Sequence, residues 1–120
     1  YMVFNNSIFP IASEVNSSDH LVIGGCDVIN LVEEFGSPLY IYDEVTLRSM
    51  CREFVTEFSD LYSDSGVLYA AKAFLNPAIA NIIHEEGLGM DVVSGGELAV
   101  EINSGFPSES IYFHGNNYLV

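Results

Sequence analysis

Basic residues are scarce in this sequence, and their absence limits the partners that the protein can have. Arg48, Arg52 and Lys72 are the only basic residues besides histidine among 120 residues, against 17 acidic ones, and the formal net charge is -14. A chain this acidic repels the phosphate backbone of nucleic acids, so we exclude nucleic acid as a partner. We interpret the acidity as a contribution to solubility rather than as an acidic binding tail.

Cysteines and long apolar runs are scarce as well. Cys26 and Cys51 are the only cysteines and lack ligand-like spacing to a histidine, so we predict neither a disulfide framework nor a metal site. No apolar run approaches the roughly 18 residues that a membrane span needs, and we expect no membrane segment and a cytoplasmic location. Apolar residues are nevertheless abundant, at 49% of the chain, which indicates a folded protein.

The first part of the chain predicts a segment of mixed local structure. Asp27 is placed to cap a short helix, VINLVEEF, which a glycine ends. Before this helix, residues 1–20 predict an irregular arm or an added strand, and LVIGG (21–25) predicts a strand and a turn. After it, the β-rich run PLYIYD (38–43) predicts a further strand that begins at a proline.

Residues 44–61 predict the clearest helix of the chain. Apolar residues recur there at the i, i+3, i+4, i+7 spacing of one helix face, which predicts that this face is buried. The face comprises Leu47, Met50, Cys51, Phe54, Val55, Phe58 and Leu61. We interpret Arg48 and Arg52, on the other side of the helix, as solvated residues in weak ion pairs.

Beyond residue 66, strand-like and helix-like runs alternate. The β-rich runs VLYAA, GMDVV and SIYFH begin at residues 67, 89 and 110, so they recur after 22 and then 21 residues. Helices are predicted between them, over residues 77–86 with Asn76 as the cap and over residues 96–104. This alternation predicts parallel βα units with right-handed crossovers, and therefore an α/β fold.

Polar residues follow each of these three predicted strands. They are Lys72 after the first strand, Asp91 and Ser94 at the end of the second, and His114, Asn116 and Asn117 at the end of the third. In parallel α/β folds the carboxyl ends of the strands carry the chemistry. The sequence therefore predicts a site at this edge of the sheet.

Lys72 is the strongest candidate, because it is the only lysine and lies in the apolar run YAAKAF. Burial among apolar neighbours favours the neutral amine, which can attack a carbonyl carbon and form an imine. The alternative is a lysine that extends from a strand edge into solvent. We expect Asp91 to be either a buried partner or a strand-end acid near Lys72.

The other polar residues have structural alternatives. Ser94 and Glu97 suit a capped turn at the start of a helix, and a supporting role at the site is left open for Glu97. His114 could be a base, a ligand or a histidine satisfied at the end of a strand. We interpret His20 and His84 as structural residues.

Three motifs resemble one family of enzymes. YAAKAF, EEGLGMDVVSGGEL and FHGNN, in this order and spacing, resemble the amino-terminal half of the barrel in diaminopimelate decarboxylases. PLYIYDEVTLR and the GG turn before DVINLVEEFG also fit, so the resemblance covers about residues 21–117. It implies the first part, about three βα units, of a (β/α)8 barrel of the alanine-racemase-like class.

The same resemblance implies how the chain divides. Residues 1–43 would be an N-terminal segment that joins a carboxyl-terminal β-domain in the full-length enzyme. Residues 44–120 would be an incomplete barrel domain that binds pyridoxal 5'-phosphate. The implied enzyme is a homodimer with its active site at the subunit interface.

The chemistry is also implied by the resemblance. The family removes a carboxylate from meso-diaminopimelate to give L-lysine and carbon dioxide. Lys72 matches the lysine that forms a Schiff base with pyridoxal 5'-phosphate. The implied cofactor-binding residues are Lys72, Asp91 and His114, and the implied supporting residues are Glu97, Asn116 and Asn117.

The sequence departs from the family pattern in two ways. The family usually continues HGNN with lysine and serine, where this chain has Tyr118 and Leu119. The family's glycine-rich phosphate loop, the acid at the pyridine nitrogen and the β-domain lie beyond the resemblance. We therefore expect a piece of a longer protein that binds the cofactor weakly or not at all by itself and is inactive alone.

Three alternatives remain open at this point. The first is a related decarboxylase that acts on ornithine, arginine, lysine or carboxynorspermidine. The second is a non-catalytic barrel protein that binds pyridoxal phosphate. The long segment before Lys72 and the amino-acid sequence of the EEGLGMDVVSGGEL motif argue against it. The third is a degenerate remnant with a structural role or none.

Overall fold

A computed structural model describes residues 8–115 of the chain. The chain divides into two compact units, Tyr1–Ser49 and Met50–Val120. This division falls within a helix, whereas the sequence predicts a domain boundary between residues 43 and 44. The predicted division into two functional domains stays a prediction.

The first unit is built around a three-stranded antiparallel sheet. Its strands are β1 (Ser13–Val15), β2 (Leu21–Ile23) and β3 (Cys26–Asp27), with β2 in the centre. Val22 pairs with Glu14 on one side and with Asp27 on the other, and its side chain is buried. The predicted strand with its turn is confirmed, and the predicted arm contains an added strand.

Asp27 connects the sheet to helix α1 (Val28–Phe35), which follows directly. Its carboxylate accepts hydrogen bonds from the Ile29 N–H at 2.9 Å, from Asn16 Nδ2 at 2.8 Å and from His20 Nδ1 at 2.9 Å. The hydrogen bond from His20 is the main cause that holds the pKa of Asp27 below its ordinary value, against an opposing effect of burial. The predicted cap is confirmed, and the contact of His20 fits the structural role predicted for it.

Residues 38–43 do not form the predicted strand. A strand needs a neighbour whose backbone groups can pair with its own, and no residue in the described range 8–115 pairs with this run. Asp43 instead begins the next helix, because its carboxylate accepts hydrogen bonds from the Thr46 N–H at 2.9 Å and Thr46 Oγ1 at 2.5 Å. The β-propensity of residues 38–43 was therefore not enough to predict a strand.

Helix α2 (Glu44–Leu61) confirms the predicted helix but not the burial of its apolar face. Of the seven apolar residues on that face, only Cys51 is buried. Phe54, Phe58 and Leu61 are 55%, 54% and 86% exposed. Helical spacing places these side chains on one face. Burial also requires another helix or strand to pack against that face, and within residues 8–115 none buries these three side chains.

The second unit contains a three-stranded parallel sheet, as predicted. Strands β4 (Leu68–Ala70), β5 (Gly89–Val92) and β6 (Ile111–Phe113) lie in this order. The strands approach closely at Gly89, where a methyl group would lie 2.6 Å from Leu68 Cδ2 and 2.9 Å from the Ser110 carbonyl oxygen. Only glycine fits at that position without displacing backbone.

Two helices connect these strands, and both match the predicted positions. Helix α3 (Pro77–Glu85) runs between β4 and β5, and helix α4 (Gly95–Asn103) between β5 and β6. The Asn76 side chain caps α3 by accepting a hydrogen bond from the Ile79 N–H at 2.8 Å. Gly87 and Gly105 follow the ends of these helices, with φ of 80° and 75°.

The core of the second unit is apolar. Its buried apolar residues are Cys51, Ala71, Ile79, Ala80, Ile83, Leu88, Met90, Val92 and Phe106. Most of them come from helix α3 and the central strand β5, so this helix and the parallel sheet share one core. Across residues 8–115, no helix is both long and apolar enough to cross a membrane.

Candidate functional site

The parallel sheet places the predicted strand-end residues at one edge. Ala70, Asp91 and Tyr112 stand side by side across the three strands. Lys72 lies two residues beyond Ala70, and His114 two residues beyond Tyr112. The carboxyl edge of the sheet thus carries an amine, a carboxylate and an imidazole on three adjacent strands.

Lys72 lies in a single turn of 3₁₀-helix (Ala71–Ala73) that directly follows β4. The Tyr69 hydroxyl donates a hydrogen bond to the Phe74 carbonyl oxygen at 2.8 Å, which closes this turn. Ala71 is buried, but Lys72 is exposed. The prediction that Lys72 is buried among its apolar neighbours is wrong for this chain, because the turn directs Ala71 into the core and leaves Lys72 outside it.

Asp91 and His114 form a side-chain pair across β5 and β6. The ring Nδ1 of His114 and the Asp91 carboxylate oxygen Oδ1 form a short hydrogen bond. The sequence predicts Asp91 as either a buried partner or a strand-end acid near Lys72. Asp91 lies near the carboxyl end of β5, and its hydrogen-bond partner among the described residues is His114. The strand order predicts that both residues lie at one edge of the sheet, but it does not predict that their side chains pair.

Glu97 takes part in a capping arrangement at the start of α4. The Ser94 hydroxyl accepts a hydrogen bond from the Glu97 N–H at 3.2 Å, and the Glu97 carboxylate accepts one from the Val93 N–H at 2.7 Å. The first bond satisfies a backbone donor that a helix start leaves free, and the second ties Glu97 to the backbone just before the cap. The predicted capped turn is confirmed, while a supporting role of Glu97 at the site stays a prediction.

Asn116 and Asn117 lie outside the described residues, as do Tyr118 and Leu119. Their predicted places at the third strand end are therefore untested. His84 contacts the Phe106 ring, with a distance of 5.3 Å between ring centroids, which fits the structural role predicted for His84. Residues 8–115 hold no cluster of three or more His, Cys, Asp or Glu side chains suited to a metal ion.

Glu101 is a buried acid that the sequence analysis missed. It lies in α4 with 0% of its surface exposed, and neither carboxylate oxygen has a hydrogen-bond partner among the described residues. Burial raises the pKa of Glu101 above its ordinary value. Glu101 lies three residues after Leu98, a helix spacing that puts both on one face, which is the signal that could have found it.

Arg52 has a more specific partner than the sequence suggests. Its Nε and Nη2 donate to the two carboxylate oxygens of Glu86 at 2.6 and 2.7 Å. The Glu86 side chain is 7% exposed, so this bidentate pair ties α2 to the end of α3. Arg48 pairs with Glu44 at 2.8 Å within its own helix, as predicted.

A cavity of about 440 Å³ lies in the first unit, and its lining includes none of the predicted site residues. Its lining includes Ile23, Leu31 and Ile41 together with Asp43 and Arg48. The Asp43 carboxylate is engaged in starting α2, and Arg48 pairs with Glu44. The charged groups of this lining therefore have structural partners, and we place the candidate site at the sheet edge instead.

Comparison with known proteins supports the recognised resemblance. Residues 46–119 match the family profile described as "Pyridoxal-dependent decarboxylase, pyridoxal binding domain". The diaminopimelate decarboxylase of Bacillus methanolicus is 47% identical over 105 residues, which are 88% of this chain and 24% of that protein. That of Mycobacterium tuberculosis is 48% identical over 98 residues, 82% of this chain and 21% of that protein. The chain thus spans about a quarter of the length of these curated relatives.

Solved structures give the same result for the fold. The crystal structure of diaminopimelate decarboxylase from M. jannaschii aligns with a TM-score of 0.74 and 34% identity, covering 89% of this chain and 25% of that one. A structure of that enzyme with L-lysine aligns with a TM-score of 0.73 and 34% identity over 88% of this chain and 25% of that one. The predicted α/β fold, the first part of an alanine-racemase-like barrel, is confirmed. The chain belongs to the family of pyridoxal-dependent decarboxylases and contains residues of their pyridoxal-binding domain.

Proposed function

We propose that this chain provides the first part of a diaminopimelate decarboxylase, which converts meso-diaminopimelate to L-lysine and carbon dioxide. The observation that carries the proposal is 43–48% identity to proteins of that name over most of the chain. The solved structure of a relative with L-lysine supports an amino acid as the ligand class. Alone, the 120 residues are expected to be inactive.

The residues at the sheet edge fit pyridoxal 5'-phosphate by their chemistry. An exposed primary amine stands at the carboxyl edge of the sheet, next to a carboxylate–imidazole pair. Such a set suits an aldehyde-bearing cofactor, because an accessible amine can attack a carbonyl carbon. When bound, pyridoxal 5'-phosphate supplies that aldehyde and a ring that takes up the electron pair released with carbon dioxide.

Each residue would have a distinct part at such a site. Lys72 would hold the cofactor through its side-chain amine. Asp91 and His114 line the cofactor site. Glu97 keeps the start of α4 in place by accepting a hydrogen bond from the Val93 N–H. It would thereby support the site at the carboxyl edge of the sheet. Asn116 and Asn117 are proposed as further supporting residues.

The proposal extends to the organisation of the whole enzyme. Residues 1–43 serve as the N-terminal segment and residues 44–120 as the first part of the cofactor-binding barrel, a division supported by a family match that begins at residue 46. The complete protein acts in the cytoplasm as a homodimer with its active site at the subunit interface.

A chimeric enzyme tests the proposed reaction. The 105 residues that align with the Bacillus methanolicus enzyme would replace the matching quarter of that enzyme, and release of carbon dioxide would be measured from meso-diaminopimelate. We expect decarboxylation that Lys72→Ala abolishes. The proposal would be contradicted by a folded chimera that shows the same cofactor absorbance as the Bacillus methanolicus enzyme but releases no carbon dioxide.

Substrate choice separates the main proposal from its runner-up. The family description names a pyridoxal-dependent decarboxylase without a substrate, which leaves a related decarboxylase as the second candidate. The same chimera would be offered ornithine, arginine, lysine and carboxynorspermidine. Activity on one of these that exceeds activity on diaminopimelate would favour the second candidate.

The role of Lys72 can be tested in the 120-residue chain itself. Lys72 is the only lysine, so borohydride reduction with pyridoxal 5'-phosphate has one side-chain amine to label. A matched control moves that amine elsewhere, in the double variant Lys72→Arg, Arg48→Lys. We expect faster labelling at residue 72 than at residue 48 by mass spectrometry. Equal rates would show that residue 72 has no special reactivity.

A further inference from the structure

The two side chains of the Asp91–His114 pair differ in how far they are exposed to solvent. The His114 N–H donates to the Val92 carbonyl oxygen at 3.0 Å, which extends the sheet ladder by one residue beyond β6. Within the pair, the Asp91 side chain is 18% exposed and the His114 side chain 73%. The acid is therefore held within the sheet edge, while most of the imidazole ring faces outward.

The partner of the ring fixes which nitrogen carries the proton. An ionised carboxylate only accepts hydrogen bonds, so His114 Nδ1 must donate its proton to Asp91. In the neutral ring, Nε2 then carries the lone pair. Among residues 8–115 no hydrogen bond engages His114 Nε2, and the exposure of the ring makes that atom accessible at the edge where Lys72 lies.

The chain contains a second histidine–aspartate pair, His20 with Asp27, in which the carboxylate has other hydrogen-bond partners as well. Asp27 divides its carboxylate among His20, Asn16 and the Ile29 N–H, and so serves as a structural centre. Within the described residues, Asp91 has His114 as its hydrogen-bond partner. The Asp91 carboxylate thus orients a single ring, which is the arrangement by which an acid positions a catalytic histidine.

We propose that Asp91 is a positioning residue that holds His114 as the Nδ1–H tautomer, and that Nε2 accepts a proton from the ammonium group of the amino-acid substrate. This inference rests on the proposed function. One N–H bond of the ammonium group breaks and an Nε2–H bond forms. The nitrogen of the substrate keeps the electron pair of the broken bond, and the positive charge on the ring faces the Asp91 carboxylate.

The tautomer is measurable in the 120-residue chain without cofactor. Nitrogen-15 NMR of the imidazoles, at a pH where the rings are neutral, distinguishes the two forms. We expect His114 to be protonated at Nδ1 in the unchanged chain and to lose that preference in Asp91→Ala. Should the alanine variant not fold, Asp91→Ser supplies a polar residue too short to hold the ring.

The first unit supplies the matched control. Asp27→Ala removes a carboxylate from the other pair, and it should change the signals of His20 while those of His114 stay fixed. Two outcomes overturn the proposal. One is a His114 ring protonated at Nε2 in the unchanged chain, and the other is a tautomer that survives loss of the Asp91 carboxylate.

Kinetics of an active chimera test the proton transfer separately. His114→Gln should lower kcat by roughly 100-fold or more, the usual range for loss of a general base, with KM changed far less. Asp91→Ala should lower kcat in the same direction, and Asp91→Glu should restore part of it. A change confined to KM would overturn the proton-acceptor role, whereas a chimera with no activity at all would count against the proposed function and leave the tautomer result standing.

Discussion

The two units of the chain use different means to hold their sheets. In residues 8–49, Val22 is the one buried apolar residue described, and the antiparallel strands depend on short turns and on the polar centre at Asp27. In residues 50–115, nine buried apolar residues support a parallel sheet. The difference follows from connectivity, because parallel strands need crossover segments and the helices in those segments bring apolar faces with them.

The comparison also explains where chemistry can be placed. A reactive group must be held within a fraction of an ångström, and residues on a well-packed sheet are held more rigidly than residues on loops. Asp91 lies between Met90 and Val92, both 0% exposed, so its carboxylate is anchored on both sides. Asp27, whose unit has little core, is used for capping instead.

The largest expected effect contrasts the two cores directly. Ile83→Ala leaves a cavity in the second unit and should lower the free energy of opening of amides in α3 and β5 by about 2–5 kcal/mol. Val22→Ala removes less volume from a unit with little core and should affect β1–β3 by a smaller amount. Native-state hydrogen exchange measures both. Equal losses would mean that the antiparallel sheet depends on apolar burial as much as the parallel one.

A smaller effect is expected at Glu101, the polar residue within the second core. Glu101→Leu should raise the free energy of unfolding by about 1–3 kcal/mol at about pH 7, because it removes an unpaired buried carboxylate. Since burial raises the pKa of Glu101 in the folded chain, the unfolded chain releases the proton at lower pH. Stability is therefore highest below the ordinary glutamate pKa and is lost as pH rises toward the raised value.

Urea denaturation at several pH values checks both parts of this prediction. The gain from Glu101→Leu should shrink as pH falls below about 4, where the carboxyl group becomes protonated in both states. Glu109→Leu serves as the control, because Glu109 is an exposed acid near α4 and should change stability by no more than about 0.5 kcal/mol. A gain that does not depend on pH would show that Glu101 is not the titrating group.

The smallest effect concerns the polar centre of the first unit. Because the His20 hydrogen bond is the main cause of the lowered pKa of Asp27, His20→Gln should move that pKa up toward its ordinary value. The stability that this pair gives is present above the pKa of Asp27 in the unfolded chain and is lost as pH falls through the lowered value. NMR titration of Asp27 measures the shift, with His84→Gln as a control that should leave Asp27 unchanged.

Much of the fold was predictable because the relevant signals are local. Asp27, Asn76 and Ser94 cap their helices through contacts within three residues, and such contacts can be read from short motifs. The alternation of strands and helices predicted the parallel sheet for the same reason. The carboxyl-edge location of Lys72, Asp91 and His114 then followed from strand order.

The features that the sequence did not predict share a different cause. Each depends on which other residues a given residue contacts in the folded chain. The run 38–43 has strand propensity but no described partner strand, and the apolar face of α2 has helical spacing without burial. The pairing of Asp91 with His114 and the burial of Glu101 depend on contacts over long sequence separations or on side-chain direction. A single sequence gives the spacing of such residues but not their partners.

Gly89 has a consequence for how this sequence can vary. Every other amino acid adds at least one carbon atom at a point where the Ser110 carbonyl oxygen already lies 2.9 Å away. Each single-base change that replaces the glycine codon therefore meets backbone, which cannot be repacked as a side chain can. Replacement of this glycine should therefore be very rare, and a saturation-mutagenesis screen for folded protein should recover glycine alone at position 89.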